Sequence, residues 1–332
     1  MRAVSYGRTG PAEDVLELIE VETPRPAAGE VRVALAWSGV NPSDVKTRAG
    51  ARTKTLPFPR IIPHSDGAGV IDAVGEDVDP SRIGERVWTW NAAWQRPEGT
   101  AAEYVVLPEA QAVRLPDGVG MEVGACLGIP ALTAYHAVNV NGGVAGKTVL
   151  VAGGAGAVGH YAVQMAKRAG AEAVIATVSN DEKSTIAEAA GADHVLNYRT
   201  DDCAVRVAEI TDGRGVDRII EVEFSGNVDL DFEMVRQDGE IVVYGSDRPD
   251  VAVPFMPAIL KNVQVQFFIV YNLDPESRAS GIQGLTRLLE SEALEHRIAA
   301  RLPLERCAEA HRLVEERQAM GNVVVAVNSG TG

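Results

Sequence analysis

The sequence predicts an α/β chain of two parts: a β-rich region that starts at the amino terminus, and a doubly wound parallel-sheet domain behind it. Three observations carry this. The chain has 332 residues, about twice the usual length of one domain. Short Val-rich runs between Pro and Gly punctuation fill residues 1–120. From residue 147 apolar runs alternate with amphipathic stretches, as expected of a parallel sheet covered on both faces.

In order along the chain, the β-prone runs are Val31 to Trp37, Gly69 to Val74, Glu85 to Trp90 and Ala102 to Leu107. Turn signals such as Thr23-Pro24-Arg25-Pro26 and Leu115-Pro116-Asp117-Gly118 separate them. The texture changes near residue 124. Thr148 to Ala152 reads as a strand, and His160 to Ala169 as a helix with Ala162, Val163, Met165 and Ala166 on its apolar face. Ala173 to Val178 is strand, Glu182 to Ala190 helix, His194 to Asn197 strand and Asp201 to Ile210 helix. Asp217 to Val222 and Glu240 to Tyr244 complete the alternation, and Val263 to Val270 is a further β-prone run. Helices around Ser277 to Ser291 and Leu304 to Met320 precede a last strand, Asn322 to Val327.

Composition narrows the function classes. A formal net charge of −15 repels phosphate backbones, so nucleic acid is not an expected partner. Three widely spaced cysteines, Cys126, Cys203 and Cys307, form neither a disulfide framework nor a four-thiolate zinc lobe, and read as buried thiols. No run approaches the ~20 apolar residues of a membrane span, and MRAVSYGRTG lacks the apolar core of a signal peptide. A reduced, cytoplasmic setting is the expectation.

The chemistry-bearing motif is Thr148 to Gly159, TVLVAGGAGAVG. Gly154, Gly156 and Gly159 fit G-x-G-x-x-G between a strand and a helix. Gly154 allows the tight turn, Gly156 lets the backbone approach a pyrophosphate, and Gly159 lets the helix pack close to the strand. The amides of Ala157, Val158 and Gly159 open that helix and face an anion with its positive dipole end. A tight βα turn without ligand is the plain alternative. The next strand ends Val178-Ser179-Asn180-Asp181-Glu182-Lys183, with no acid at its tip. An acid there would hold the ribose hydroxyls of NADH. Ser179 and Lys183 instead offer a hydroxyl and a positive charge to a 2′-phosphate, so the expected cofactor is NADPH (NADP+). Lys183 also reads as a solvated helix-face lysine.

Several stretches together resemble one family: Gly39-Val40-Asn41-Pro42-Ser43-Asp44, His64 to Val70, Gly99 to Tyr104, Gly128 to Tyr135, the glycine loop, Gly191 to Val195 with Asn197-Tyr198, and Pro303-Leu304 with Ala308 to His311. The chain is similar to zinc-independent medium-chain dehydrogenases/reductases, in particular the NADPH:quinone oxidoreductases related to zeta-crystallin. The resemblance implies a GroES-like β-rich catalytic domain over 1–123 and 265–332, with a Rossmann NADP-binding domain over 124–264. It implies a nicotinamide held in the cleft between the domains, and a homodimer through the cofactor domains with Val263 to Val270 as the natural edge. A buried strand is the plain alternative there.

The same resemblance places the zinc ligands of related alcohol dehydrogenases at Asn41, Ser65 and near Ile129. None of these is a thiolate or imidazole, so no metal is expected. His64, one residue before that position, and Asp66, one after it, read as a substrate contact and a loop-orienting acceptor. The expected reaction is hydride transfer from NADPH to a small quinone or α,β-unsaturated carbonyl. An enoyl-thioester reductase and a nucleotide-binding protein with little activity are the alternatives. Asn41 is the first candidate donor to the developing oxyanion or the nicotinamide ribose, and it also reads as a turn asparagine. Lys46 stands where such reductases often carry a tyrosine, and reads equally as a charge stabiliser or a solvated lysine. Thr133 corresponds to the residue behind the nicotinamide, and Tyr198 to the tyrosine near the adenine. Tyr244-Gly245 and Phe267-Phe268 correspond to segments along the ribose and nicotinamide. Asn322 replaces the near-terminal family lysine. Arg52 is expected at the pocket rim. Trp88, Trp90 and Trp94 read as acceptor-pocket lining or as core.

Overall fold

A computed structural model describes residues 1–51 and 55–328. Arg52 lies outside the described residues. The chain divides into two compact units, Met1–Pro130 with Thr286–Gly332, and Ala131–Leu285.

The first unit is built on β strands. β1 (Arg2–Ser5) and β2 (Glu17–Glu20) pair antiparallel around the short α1 (Ala12–Val15). The main sheet takes β3 (Glu30–Val40), β4 (Asp66–Val74), β5 (Arg86–Thr89), β6 (Tyr104–Pro108) and β7 (Ala112–Arg114). Two strands from the carboxyl end of the chain join them. β3 is the 11-residue spine: its first half pairs with β6 and its last residues pair with the chain's final strand. Alternating burial along β3 puts Val31, Val33 and Leu35 into one apolar core with Ile71, Val87, Val105 and Leu107. Asn41 follows β3 directly and opens α2 (Pro42–Arg48), where Pro42 sits at a first-turn position that needs no amide hydrogen. The turn α3 (Met121–Gly124) leads to the π-helical turn Leu127–Ala131.

The second unit is the alternating βα domain. It comprises α4 (Leu132–Asn139), β8 (Thr148–Val151), α5 (Ala157–Arg168), β9 (Ala173–Val178), α6 (Asp181–Ala189), β10 (His194–Asn197), α7 (Cys203–Ile210), β11 (Val216–Glu221), α8 (Phe224–Met234), β12 (Val235–Val243), α9 (Phe255–Leu260) and β13 (Gln264–Phe267). The six strands are parallel in the order β10-β9-β8-β11-β12-β13. This is the dinucleotide-fold order, and its connections reverse direction between β8 and β11. α10 (Pro275–Glu290) contains the change of unit at 285/286, and the first unit ends with β14 (Ile298–Pro303), α11 (Cys307–Glu315) and β15 (Asn322–Ala326).

Two differences from the sequence reading have physical causes. The boundary expected after 264 falls at 285/286, because β13 completes the ladder of β12 (Val243 with Phe267) and so belongs to the parallel sheet. α8 escaped the reading because Phe224-Ser-Gly-Asn-Val-Asp-Leu-Asp-Phe mixes a glycine with β-prone and cap-prone residues; tertiary packing of Phe224, Val228 and Phe232 holds it helical. Arg218 carries no sequence signal at all. Fully buried, it bonds Glu240 Oε2 (Nε at 3.0 Å, Nη2 at 2.6 Å) and caps α4 through the carbonyls of Ala137, Val138 and Val140 at 3.2, 2.9 and 2.8 Å. That anchors the helix bearing Thr133. Among the described residues, no helix is long and apolar enough to cross a membrane.

Candidate active site

In the second unit the glycine turn leaves β8 and enters α5 through Gly156, which has no side-chain cap. Gly154 N donates to Thr177 O at 3.0 Å, and Gly156 N donates to Gly153 O at 2.9 Å. Gly153 adopts φ 71°, in the left-handed region. A Cβ on Gly159 would stand 2.1 Å from Gly153 O, and one on Gly154 would stand 2.7 Å from Ala176 Cβ. The turn is therefore closed on itself, and the first-turn amides of Ala157, Val158 and Gly159 open at the carboxyl edge of the sheet. These features fit a dinucleotide pyrophosphate.

At the tip of β9, Asn180 Oδ1 caps α6 by accepting from Lys183 N at 2.9 Å, and Lys183 Nζ donates to Ser179 Oγ at 3.0 Å. Ser179 and Lys183 are thus brought together, while Asp181 and Glu182 lie in the exposed first turn. Tyr198, half exposed, follows β10 and its amide donates to Val178 O at 3.0 Å. At the far end of the sheet, Tyr244, Gly245, Phe267 and Phe268 share the lining of one cavity of about 730 Å³ with Phe224 and Arg248. A Cβ on Gly245 would stand 2.2 Å from Val222 O, so this turn too has room for backbone only. Phe268 stacks obliquely on His136 of α4, with centroids 4.6 Å apart; Thr133 is buried one turn earlier on the same helix.

Beside this edge lies a buried carboxyl pair that sequence reading missed. Glu221, the last residue of β11, accepts from Asn227 Nδ2 at 3.1 and 3.2 Å and from the Glu223 amide. Asp231 is hydrogen-bonded to it, and its Oδ2 has no partner among the described residues. Burial, then the Glu221 charge, pushes the Asp231 carboxyl far above the ordinary carboxylate range. A neutral Asp231 that donates to Glu221 accounts for the unpartnered oxygen. Because the folded pKa is raised, the stabilisation is complete below about pH 4 and is lost as pH rises toward the folded value. Asp231→Asn is therefore expected to flatten the loss of Tm between pH 6 and 9 that the wild type shows, measured by thermal melts across roughly that range.

In the first unit one carboxylate organises the candidate catalytic residues. Asp66 Oδ2 accepts from Asn41 Nδ2 at 2.9 Å and from the Ile129 amide at 3.0 Å. The Asn41 amide in turn donates to Asp44 Oδ2 at 2.8 Å at the start of α2. Gly39 and Gly128 make the approach possible. A Cβ on Gly39 would lie 3.1 Å from Asp66 Cβ, and one on Gly128 would lie 2.3 Å from Asp66 Oδ1. Gly67 and Gly69 let β4 pass against β3, where a Cβ on Gly69 would meet Ala34 O at 2.0 Å. Lys46 is partly exposed on α2. Asn322 is buried, and both its amide (2.9 Å) and its Nδ2 (3.1 Å) donate to Arg297 O. Trp88 is fully buried in β5 and belongs to the core. His64 is fully buried as well, at φ 77°, with Nδ1 2.8 Å from Ser38 Oγ.

Comparison with known proteins supplies the family. The family model for an alcohol dehydrogenase GroES-like domain matches residues 27–117, and that for a zinc-binding dehydrogenase matches residues 157–288. The quinone oxidoreductase of Lama guanicoe is 30% identical over 98% of this chain and 97% of its own. The chain belongs to the medium-chain dehydrogenase/reductase family. It is an oxidoreductase of that family, among the quinone oxidoreductases. A 2-haloacrylate reductase from Burkholderia is 29% identical over 98% of this chain and 98% of its own. Of solved structures, an NAD-dependent alcohol dehydrogenase superposes with TM-score 0.88 at 30% identity, covering 99% of this chain and all of its own. A mycobacterial protein complexed with NADPH superposes with TM-score 0.87 at 29% identity, covering 98% and 99%. The domain therefore binds a nicotinamide dinucleotide.

The Asp66 carboxylate thus bonds Asn41 and Ile129, two of the three places to which the resemblance read from the sequence assigns the zinc ligands of alcohol dehydrogenases. The sequence reading gave Asp66 as a loop-orienting acceptor, and the Ile129 amide is a backbone donor of that kind. The bond from Asp66 to the Asn41 side chain spans 25 positions, and no local pattern announces it.

Proposed function

We propose that this chain is an NADPH-dependent reductase that delivers hydride to a quinone or an α,β-unsaturated carbonyl without a zinc ion. The observation that carries the reading is the Asp66 carboxylate, whose bonds to Asn41 and Ile129 occupy the region where relatives place the metal. When bound, reduced nicotinamide supplies the hydride; the protein supplies position and hydrogen bonds. The amides of Ala157, Val158 and Gly159 hold the pyrophosphate, with Gly154 and Gly156 keeping the backbone clear. Ser179 and Lys183 hold the 2′-phosphate, and Tyr198 flanks the adenine. Thr133, Tyr244, Gly245, Phe267 and Phe268 border the ribose and nicotinamide, and Asn322 offers its Oδ1 to the same cofactor. Asn41, oriented by Asp66, donates its second amide hydrogen to the oxygen that gains charge as hydride arrives. Lys46 adds positive charge on α2.

NADPH oxidation with a panel of quinones, enones and enoyl thioesters tests the reading. Turnover of quinones or enones is expected; turnover confined to enoyl thioesters, or none despite NADPH binding, overturns it. For the cofactor, Lys183→Ala is expected to raise the KM for NADPH roughly 10-fold or more, the loss of one charge-assisted phosphate contact, and to leave the KM for NADH unchanged. Equal effects on both contradict the 2′-phosphate role.

The protein acts as a homodimer through its cofactor domains. β13 is the edge of the parallel sheet, and an open edge strand is a template for pairing. Beside it Phe255, Met256, Ile259 and Leu260 of α9 are 68, 57, 53 and 71% exposed, and Phe267 is 63% exposed. So many exposed large apolar side chains in one region mark an interface. Leu260→Glu is expected to convert a sedimenting dimer to monomer; an unchanged mass contradicts this surface. The partner is a small molecule rather than nucleic acid, which the net charge of −15 opposes. The setting is cytoplasmic, in keeping with three buried, unpaired cysteines.

A further inference from the structure

His64 Nε2, His311 Nε2 and Cys307 Sγ converge inside the first unit, all within 4.8 Å of one another and all fully or almost fully buried. They come from two elements far apart in sequence. His64 closes the loop before β4, and Cys307 and His311 stand four residues apart on one face of α11. The two Nε2 atoms are 2.9 Å apart, and Cys307 Sγ is 3.8 Å from His64 Nε2.

The surrounding hydrogen bonds assign the protons. Thr100 Oγ1 donates its only hydrogen to the carbonyl of Asp66, at 2.5 Å. At its 2.7 Å contact with Ser38 Oγ it must therefore accept, so the Ser38 hydrogen is spent there. Ser38 Oγ must then accept from His64 Nδ1–H at 2.8 Å. His64 is consequently the Nδ1–H tautomer, and its Nε2 lone pair faces His311 and Cys307. His311 donates Nε2–H to that lone pair, and its Nδ1 has no partner among the described residues. Metal-ligating imidazoles are held this way, with the distal N–H donated to a fixed acceptor.

The backbone points the same way. His64 sits at φ 77°, a conformation that costs of order 1–3 kcal/mol for a non-glycine residue. The loop is locked there by Thr100 N donating to His64 O at 2.9 Å, and by Gly99, where a Cβ would lie 2.4 Å from the same carbonyl. The protein thus keeps a strained loop to aim one imidazole lone pair into its core.

We propose that His64, Cys307 and His311 form a three-coordinate site for a soft monovalent d10 cation, Cu(I). Trigonal coordination at about 2.05 Å to nitrogen and about 2.3 Å to sulfur separates nitrogens by roughly 3.5 Å and nitrogen from sulfur by roughly 3.8 Å. The sulfur–nitrogen spacing is already in place, and the imidazoles need only a small opening. On binding, the Cys307 S–H bond breaks and its proton leaves to solvent, while the thiolate donates to the ion. The His311 hydrogen moves from Nε2 to the vacant Nδ1, so both Nε2 lone pairs reach the metal. No electron is transferred. Thiolate plus Cu(I) is neutral, whereas a divalent ion would leave a net positive charge on a fully buried cluster; the Asp44 carboxylate and the Arg48 guanidinium, itself paired with Glu315 at 2.7 Å, both act on Cys307 and oppose one another there. The donor count agrees. Among the described residues the cluster holds three ligands, which suits a soft three-coordinate ion better than tetrahedral zinc.

The test is anaerobic titration of the full chain with Cu(I) in competition with a chromogenic Cu(I) chelator, after long incubation and after refolding in its presence. Wild type is expected to take one equivalent, with X-ray absorption showing one sulfur and two nitrogen neighbours. Cys307→Ser and His311→Gln are expected to weaken uptake by roughly a hundred-fold or more, with circular dichroism unchanged for at least one of them. Cys126→Ser and Cys203→Ser are expected to bind as wild type does. No stoichiometric uptake, full uptake by Cys307→Ser, an equal loss in the Cys126 or Cys203 variants, or tighter binding of Zn(II) than of Cu(I) against matched chelators overturns the assignment.

Discussion

Gly159→Ala is expected to remove NADPH binding, weakening it by roughly 100-fold or more, and to lower stability by about 1–3 kcal/mol, the usual cost of overpacking. The added Cβ would stand 2.1 Å from Gly153 O, 2.8 Å from its carbonyl carbon and 3.0 Å from Gly154 Cα. Each of these atoms is backbone, so no rotamer change relieves the clash. α5 must move away from β8, and the amides of Ala157 and Val158 move with it. Fluorescence titration with NADPH checks the affinity, and a thermal melt checks the stability. Gly120→Ala is the matched control, since its nearest neighbour to an added Cβ is the flexible Glu122 side chain at 3.8 Å. Wild-type affinity in Gly159→Ala would refute the placement of the pyrophosphate at this turn.

Asp66→Ala is expected to lower kcat for quinone reduction by roughly 100-fold or more, the scale of losing one oriented oxyanion donor. It removes the shared acceptor of Asn41 Nδ2 and Ile129 N and leaves two buried donors unsatisfied, which also costs about 1–3 kcal/mol for each. Asp66→Asn keeps the shape and an oxygen for the same donors, and is expected to fall between wild type and alanine. Asn41→Ala should match the kcat of Asp66→Ala, and the double variant should fall no lower than the worse single one, because both changes remove one oriented amide. Additive losses in kcat would mean that Asp66 acts by a separate route.

Much of the fold was legible because the second half of the chain is periodic. Continuous apolar strands between amphipathic helices, with a glycine turn after the first strand, specify the parallel sheet and its phosphate edge. Glycines that the sequence singled out meet neighbouring backbone in the structure, as Gly69 meets Ala34 and Gly159 meets Gly153. Illegible were contacts between residues far apart in sequence. The Asp66–Asn41 bond, the Arg218 cap on α4 and the meeting of His64 with His311, 247 positions later, arise from topology alone. The expected boundary after 264 cut through the sixth strand, because a β-prone run carries no mark of where its unit ends. Ser179 and Lys183 were readable together because they flank the tip of β9, one before the cap of α6 and one in its first turn, and Lys183 Nζ donates to Ser179 Oγ at 3.0 Å.

The central claim is that the Asp66 carboxylate does the organising that a zinc ion does in related dehydrogenases. The most direct measurement is kcat for NADPH-dependent quinone reduction by protein dialysed exhaustively against a strong zinc chelator, with bound zinc quantified in the same sample. The account predicts an unchanged kcat at zinc far below one equivalent per chain. A kcat that collapses as zinc is removed and returns with one added equivalent would contradict it.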